Sequence, residues 1–593
     1  AAVKSFQRYA ELCRGNPPVN YAIMDEMTLS APWANYHAKD SEPCRMEHCL
    51  ARFRAEMAGK YGTVAALNAK WGTSFASFDE VMPALTAEMR AERKVGRRNY
   101  AKWLEFRLFM DSVFAGASDT IAAAMAEVAP EISTGQPNWT WMTPMAGIDP
   151  SKIIPGRTGS QDYGPAAWVR SFKRPEAPLL NWFGYAGIYD KGAAGWTKAL
   201  WSSLNNGATG VMIYQPIQRD TADREGHMAL SGRLTERGRM VREALRPLVN
   251  GCGDLVNFSE RAAMPVTILY AQAGMGISWL ESDDKLQFDW EIRGNPKGSD
   301  YMNWFRAQEQ WERVLNTLCL GWDYTSEPRL AERLKTAKAV VLPECWALSD
   351  ETRRLLTDFR ARGGVVIGDA HTGLFDADGC PWPKAKGELV LDRTVPGGFR
   401  ATDESLVDDL RTFFGEHGLK APFEVVKTCD GKPATGLVPG LFRLPGAYVL
   451  LLTGTAVDED RVMKGTRPRA TQPETELELR LKRPVYISDM ARGRAGTEKA
   501  DVFRWNPKEA PCALFLTDAK PEAPQVSADG SAYTVRAATP RVLHRAVYGA
   551  DGRELYDYRA NSPLTAEWTF DLDLPAGARM VITDAATGLS AER

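Results

Sequence analysis

The sequence predicts an α/β protein: a (β/α)8 TIM barrel, then a second α/β domain, then C-terminal β-sandwich modules. Three observations predict this. From residue 1 to about 250, short apolar strand-like runs alternate with helix-like stretches, the pattern of a parallel sheet covered by helices. The same alternation restarts over 264–375 on a smaller scale. Beyond about 420 the segments become short and alternating, separated by Gly, Pro and Asp-Gly turns, as in β-sandwiches. The expected divisions are 1–255, 256–420, 421–520 and 521–593.

In the first division, "VNYAIMDE" (19–26) reads as a buried strand that stops at two adjacent carboxylates, Asp25 and Glu26. Helical patterns follow through "CLARFRAEMAGKYG" and "VAALNAKWG", and a long one runs to Ala129. Four more strands are read in "EISTGQPNWTW", "GRTGSQDYG", "APLLNWFGYAG" and "ATGVMIYQPIQRD", and "TERGRMVREALRPLV" closes the region as a helix. Each strand ends in polar or aromatic residues, where an α/β barrel carries its active site. In the second division, "MPVTILYA", "AKAVVLPE" and "GVVIGDA" are strands. "YMNWFRAQEQWERVLNTLCLG" is a helix, and Ser349 or Asp350 caps another that Gly363 and Gly364 stop. The polar loop 281–300 is long enough to be functional or without structure of its own. In the last two divisions the strands include "AYVLLLTG", "ELELRL", "PVYISDM", "CALFLTD" and "ARMVITD", with a break near "TDAKPEAPQ".

The 593 residues exceed one hydrophobic core, so several domains are required. A formal net charge of -2 gives no electrostatic reason for a nucleic-acid or anionic membrane partner, and neither is expected. No apolar run reaches the roughly 20 residues of a membrane helix. Nine scattered cysteines, an odd number, are not a disulfide scaffold. Only Cys44 and Cys49 are close in sequence, with His48 between them. Zinc there is conceivable, but the spacing is not CxxC, so the expectation is no cofactor.

A carboxylic acid at the carboxyl end of a barrel strand overlooks the site mouth, and in sugar hydrolysis such a group protonates the leaving oxygen. Glu26 has that position. Successive strand residues point opposite ways, so Glu26 and Asp25 cannot both face the mouth directly. Trp139 and Trp141 follow a strand, and Trp33, Tyr36 and Trp182 lie near other strand ends. Their rings are suited to stacking on sugars, with core filling the competing role.

"NPPVNYAIMDE" followed by two cysteines and "FRAEMAGKYGTVAALNAKWGTSFASFDEVMP" resembles the middle of the barrel in glycoside hydrolase family 42, β-galactosidases of a retaining clan. The most specific piece is "KYGTVAALNAKWGTSFASFDE" (60–80). The resemblance implies that Glu26 is the acid/base and that Asp25 stands where the family carries a sugar-holding Asn. "SQDYG" (160–164) resembles a family strand end and brings Asp162 toward the sugar. "GATGVMIYQPIQRD" resembles the last barrel strand, with Tyr214 at its end, and "REGHMAL" implies His227 near the site.

The family's nucleophilic Glu has no counterpart. The matching phrase "APLLNWFGYAG" holds Asn181, Trp182 and Tyr185, expected with Tyr214 and His227 to bind the sugar, but no carboxylate. Candidates for the second catalytic group are Asp162, Asp190 and Tyr185, of which Asp162 is favoured, while Glu176 precedes the strand. The leading expectation is a glycosidase of β-linked galactoside-like or related sugars. The alternative is a catalytically altered or dead carbohydrate-binding relative.

The 264–375 segment resembles the family's amidotransferase-like trimerisation domain, which implies a homotrimer and makes the 281–300 loop a candidate to reach a neighbour's site. Cys345, flanked by Glu344 and with His371 nearby in sequence, mimics a glutaminase, but "PECWA" lacks the glycines of a nucleophile elbow. The resemblance starts at the third barrel helix, so three strands, on the order of 100 residues, are expected to be missing. The compartment stays open, with a secreted or periplasmic location favoured over a cytoplasmic one.

Overall fold

The computed structural model describes residues 2–15, 21–22, 42–135, 149–154, 160–162, 166–183, 192–213, 217, 226–281, 303–454, 476–507 and 511–593. All five barrel strands read from the sequence have a described portion: Tyr21–Ala22, Thr134–Gly135, Ser160–Asp162, Leu179–Phe183 and Gly210–Ile213. The first two pair in parallel. The last three form a parallel sheet in chain order. Gly210 is opposite Leu180, where a Cβ would come within 2.7 Å of the leucine Cδ2, so a larger residue there would displace that side chain.

The long helix Ala101–Val128 buries Trp103, Phe106, Phe109 and Met110, and also Glu105, Arg107 and Asp111. A helix buried around most of its circumference must find partners for its charges inside the protein. They are described below.

The second α/β unit is a five-stranded parallel sheet. Strands Val266–Tyr270, Ala339–Leu342 and Val365–Gly368 were read from the sequence, while Trp322–Ser326 and Arg393–Thr394 were not. In space the order is 393–394, 365–368, 339–342, 266–270, 322–326, so the direction of strand addition reverses beside Val266–Tyr270. Ser349 caps Asp350–Ala361 by accepting a hydrogen bond from the Thr352 amide at 3.1 Å, and Gly363 at φ +87° ends it. This sheet shares one core with the barrel: Trp168, Phe172 and Leu179 pack with Ile268, Tyr270, Trp304 and Tyr324.

A seven-stranded antiparallel sheet follows, built from residues 423–517, with Glu260–Arg261 added at its edge. The segments read separately as "ELELRL" and "PVYISDM" are one strand, Leu477–Asp489, whose register shifts between Arg480 and Val485. Pro484 lies in that shift and has no N–H to give the ladder. Both faces of the sheet are covered. Leu450, Leu452, Leu514 and Leu516 enter one core, while Val449, Leu451, Ala513 and Phe515 pack with Trp201 and Leu204 of the barrel helix Gly192–Asn205. Strands covered twice read as continuous apolar runs, as "YVLLL" and "CALFL" do.

Residues 525–592 form a three-stranded and a four-stranded sheet around Tyr533, Val535, Leu543, Val547, Met580 and Ile582. Among the described residues no helix is long and apolar enough to cross a membrane.

Candidate active site

The described barrel strands run parallel within each sheet, so within each sheet their carboxyl ends lie together. Asp162 ends its strand in register with Asn181, which in turn pairs with Val211. The side chains of Asp162 and Trp182 are not among those described. Asp25, Glu26, Trp33, Tyr36, Trp139, Trp141, Tyr185, Asp190 and Tyr214 lie outside the described residues, as does the loop beyond Glu281. Glu281 itself accepts hydrogen bonds from the Tyr100 hydroxyl at 2.6 Å and from Arg98 at 2.8 Å. The root of that loop is thereby fixed to the barrel.

Two of the expected sugar-binding residues are engaged by helix Gly192–Asn205. Asn181 donates its amide to the Ser203 hydroxyl at 2.5 Å. His227 is buried, with its ring edge-on to Trp196 at 5.8 Å. Arg237 stacks on the same indole at 5.4 Å.

The segment 60–80 is organised around one buried carboxylate. Glu105 accepts from the Tyr61 hydroxyl, from Trp71 Nε1 at 2.9 Å and from Lys60 Nζ at 3.1 Å. Lys60 also reaches Asp378 at 2.6 Å, and Lys70 reaches Asp376 at 2.6 Å, both on the second α/β unit. Burial raises the Glu105 pKa, and Lys60 opposes the shift. Asn68 closes the turn by bonding the Phe75 carbonyl at 2.8 Å and its amide at 3.0 Å. These residues clamp two domains together and point away from chemistry on a sugar.

A second buried carboxylate sits further along the same helix. Asp111 accepts from the Gln272 amide at 2.8 Å, and Gln272 accepts from the Tyr270 hydroxyl. Burial, and then the nearby Asp149 carboxylate, push Asp111 up to about 7. Sequence reasoning missed Glu105 and Asp111. The signal that would have found them is that large apolar residues fall on every side of the first three turns, 103–110, which implies that the acids among them are buried as well.

In the second unit, Cys345 is fully buried, and burial followed by Asp369 holds its thiol well above the usual range. It is therefore not an activated nucleophile. Its neighbour Glu344 occupies the turn after the strand at φ +50°. Glu344 accepts from Trp346 Nε1 at 2.6 Å and lies 3.1 Å from His371 Nδ1, while Asp369 receives the Glu344 amide at 2.6 Å. The Glu344 carboxylate raises the His371 pKa.

Among the described residues, two clusters have metal-ligand chemistry. Glu344, Asp369 and His371 bring ligand atoms within 4.8 Å of one another, and so do Cys44, His48 and Cys49. In the second cluster Cys49 Sγ lies 3.2 Å from Cys44 Sγ, and burial followed by the Cys44 bond pushes the Cys49 thiol up to about 11. Two thiols and one imidazole match three positions of a tetrahedral zinc shell.

Residues 34–154 match the family model Glyco_hydro_42, described as beta-galactosidase. An exo-carrageenase of family 42 from Bacteroides ovatus superimposes at TM-score 0.61 and 13% identity, covering 87% of this chain and 69% of that one. A β-galactosidase from Bacillus circulans sp. alkalophilus gives TM-score 0.60 at 13% identity, covering 87% and 81%. One from Rahnella sp. R3 gives 0.59 at 12%, with the same coverage. At this identity the likeness speaks to the fold: a TIM-barrel glycosidase architecture with sheet-rich C-terminal domains. The chain resembles glycoside hydrolase family 42, as the sequence motifs implied, and the family match together with the shared fold supports a glycosidase.

Proposed function

We propose that this chain hydrolyses a β-linked galactoside-like or related glycoside, with Glu26 as proton donor and Asp162 as the second carboxylate. One observation carries the reading. The family-42 match over 34–154 lies between two strands, Tyr21–Ala22, which ends four residues before Glu26, and Ser160–Asp162, whose last residue is Asp162. Glu26 protonates the glycosidic oxygen as the bond to the anomeric carbon breaks. Asp162 attacks that carbon from the opposite face and forms a glycosyl ester. Water, deprotonated by Glu26, then cleaves the ester and restores both carboxyls. This retaining course requires carboxyl groups roughly 5 Å apart.

Asp25 holds a hydroxyl beside the scissile bond as an acceptor. Trp139, Trp141, Trp182, Tyr185 and Tyr214 supply stacking and hydroxyl contacts. Asn181, on its strand, and His227 complete the substrate-binding set, each held by helix Gly192–Asn205 through Ser203 or Trp196. The assembly is a homotrimer organised by the second α/β unit.

A panel of aryl β-glycosides tests the reading. Hydrolysis of the galactoside with retention of anomeric configuration by NMR is expected. Glycan binding without hydrolysis of any member would overturn it. Light scattering is expected to give three times the chain mass, and a monomer would contradict the trimer.

A further inference from the structure

Where helix Ala166–Phe172, the junction 260–265 and the seven-stranded sheet meet lies a cavity of about 570 Å3. Its lining is strongly basic. Arg170 and Arg261 form part of its wall, Lys338 and Lys420 are exposed at its rim, and Arg443 is paired with Glu260. Glu260 is the one carboxylate in the lining, so four cationic side chains there face no lining acid of their own.

The two arginines are the unusual feature. Arg261 donates to the Asn205 carbonyl and lies over the Phe442 ring at 4.5 Å, partners without formal charge. Burial, and then the like charge of Arg170, hold its pKa well below the ordinary guanidinium range. Arg170 donates to the Trp322 carbonyl at 3.3 Å and lies over that indole at 5.4 Å, and its Nε is buried without a hydrogen-bond partner. Two acids act on Arg170 across space, and each has another partner of its own. Asp323 is bridged by Arg333 at 2.8 Å, and Glu312 accepts from Tyr324 at 2.5 Å. Asp323 and Glu312 compensate Arg170 only in part, since burial still lowers its pKa, and Arg261 has no acid acting on it, so two neighbouring guanidinium groups drawn out of water favour a further anion between them. Planar guanidinium forks match a phosphate or sulfate. Water takes about 30 Å3 per molecule in the liquid, so a bare oxyanion fills only a small part of this volume.

We propose that this cavity binds a sugar-sized molecule carrying a phosphate or sulfate group, with the oxyanion held between Arg170 and Arg261 and the rim lysines drawing it in. The inference stands apart from the hydrolase reading, because the cavity lies away from the barrel strand ends.

Thermal unfolding and calorimetric titration of the full chain test it, with galactose 6-phosphate, galactose 6-sulfate, inorganic phosphate, sulfate and galactose as probes, at matched ionic strength in sodium chloride. The phosphorylated or sulfated sugar is expected to raise the midpoint and bind at least tenfold more tightly than galactose, and the two esters separate phosphate from sulfate recognition. Arg261→Lys, which keeps the charge but loses the fork, is expected to weaken binding about tenfold or more. Should that variant not fold, the exposed pair Lys338→Glu with Lys420→Glu gives a second reading, expected to weaken binding with the unliganded midpoint unchanged. Galactose binding as tightly as its esters, midpoints equal to the chloride control, or undiminished ester binding by the rim variant would each overturn the proposal.

Discussion

Residues 60–80 and the strand ends at 160–213 use their polar groups for opposite purposes. In the first region Lys60, Tyr61, Lys70 and Trp71 are committed to Glu105 or to Asp376 and Asp378 of the neighbouring unit. In the second, Asp162 sits at the last position of a parallel strand, where the barrel opens. The first region makes the chain recognisable, and the second carries its proposed chemistry. A motif can be specific because it fixes an interface, and its specificity then says little about which residues touch a substrate.

The comparison predicts separable losses. Asp162→Asn is expected to lower kcat on an aryl β-galactoside by about 10⁴–10⁶-fold, the scale on which loss of a catalytic nucleophile is felt, with the unfolding midpoint unchanged. A midpoint that falls in step with activity would make Asp162 structural. Glu105→Ala is expected to do the reverse. It leaves Lys60, Tyr61 and Trp71 facing a buried gap and costs about 3 kcal/mol in urea unfolding, while activity per folded molecule stays within about twofold. Unchanged stability would break the clamp account.

Asp111 gives a pH signature. Its carboxyl is raised to about 7 when folded, from about 3.9 in an unfolded chain. Its contribution to stability is therefore complete below about pH 4 and is lost as pH rises through 7. Asp111→Asn is expected to stabilise the protein by about 1–3 kcal/mol at pH 8 and to change little at pH 4. Equal effects at both pH values would contradict the buried, raised carboxyl. The smallest effect is expected at Cys345. Cys345→Ala removes a buried sulfur, costs about 1 kcal/mol and leaves glycosidase turnover intact. A loss of turnover would give that thiol a role its burial denies.

Legibility in the sequence followed the apolar pattern. The barrel strands at 19–24, 179–183 and 210–213 were readable because each is a short apolar run that stops at polar or aromatic residues, whereas Thr134–Gly135 and Ser160–Asp162 are polar and were placed by the strand–helix alternation and the family resemblance. Trp322–Ser326 was not, because "WDYTS" carries its polar groups inside the strand, where Asp323 serves Arg333 and Tyr324 serves Glu312. Arg393–Thr394 is two residues long and has no pattern to read. Pro484 made one bent strand look like two. For the site, strand ends pointed to Glu26 and Asp162. The partners of Glu105 and Asp111 come from residues 34 to 161 positions distant, a separation that periodicity does not encode. The left-handed turn at Glu344 was hidden because the residue there is not glycine.

The central claim is that Glu26 delivers the proton at the strand end, and its most direct test is leaving-group dependence. Hydrolysis of a phenyl and a dinitrophenyl β-galactoside is compared for the wild-type protein and Glu26→Gln. The account predicts a loss of about 10²–10⁴-fold on the phenyl glycoside, whose departure needs a proton, and a much smaller loss on the dinitrophenyl glycoside, whose departure does not. Equal losses on the two substrates, or wild-type turnover of the phenyl glycoside by Glu26→Gln, would contradict it.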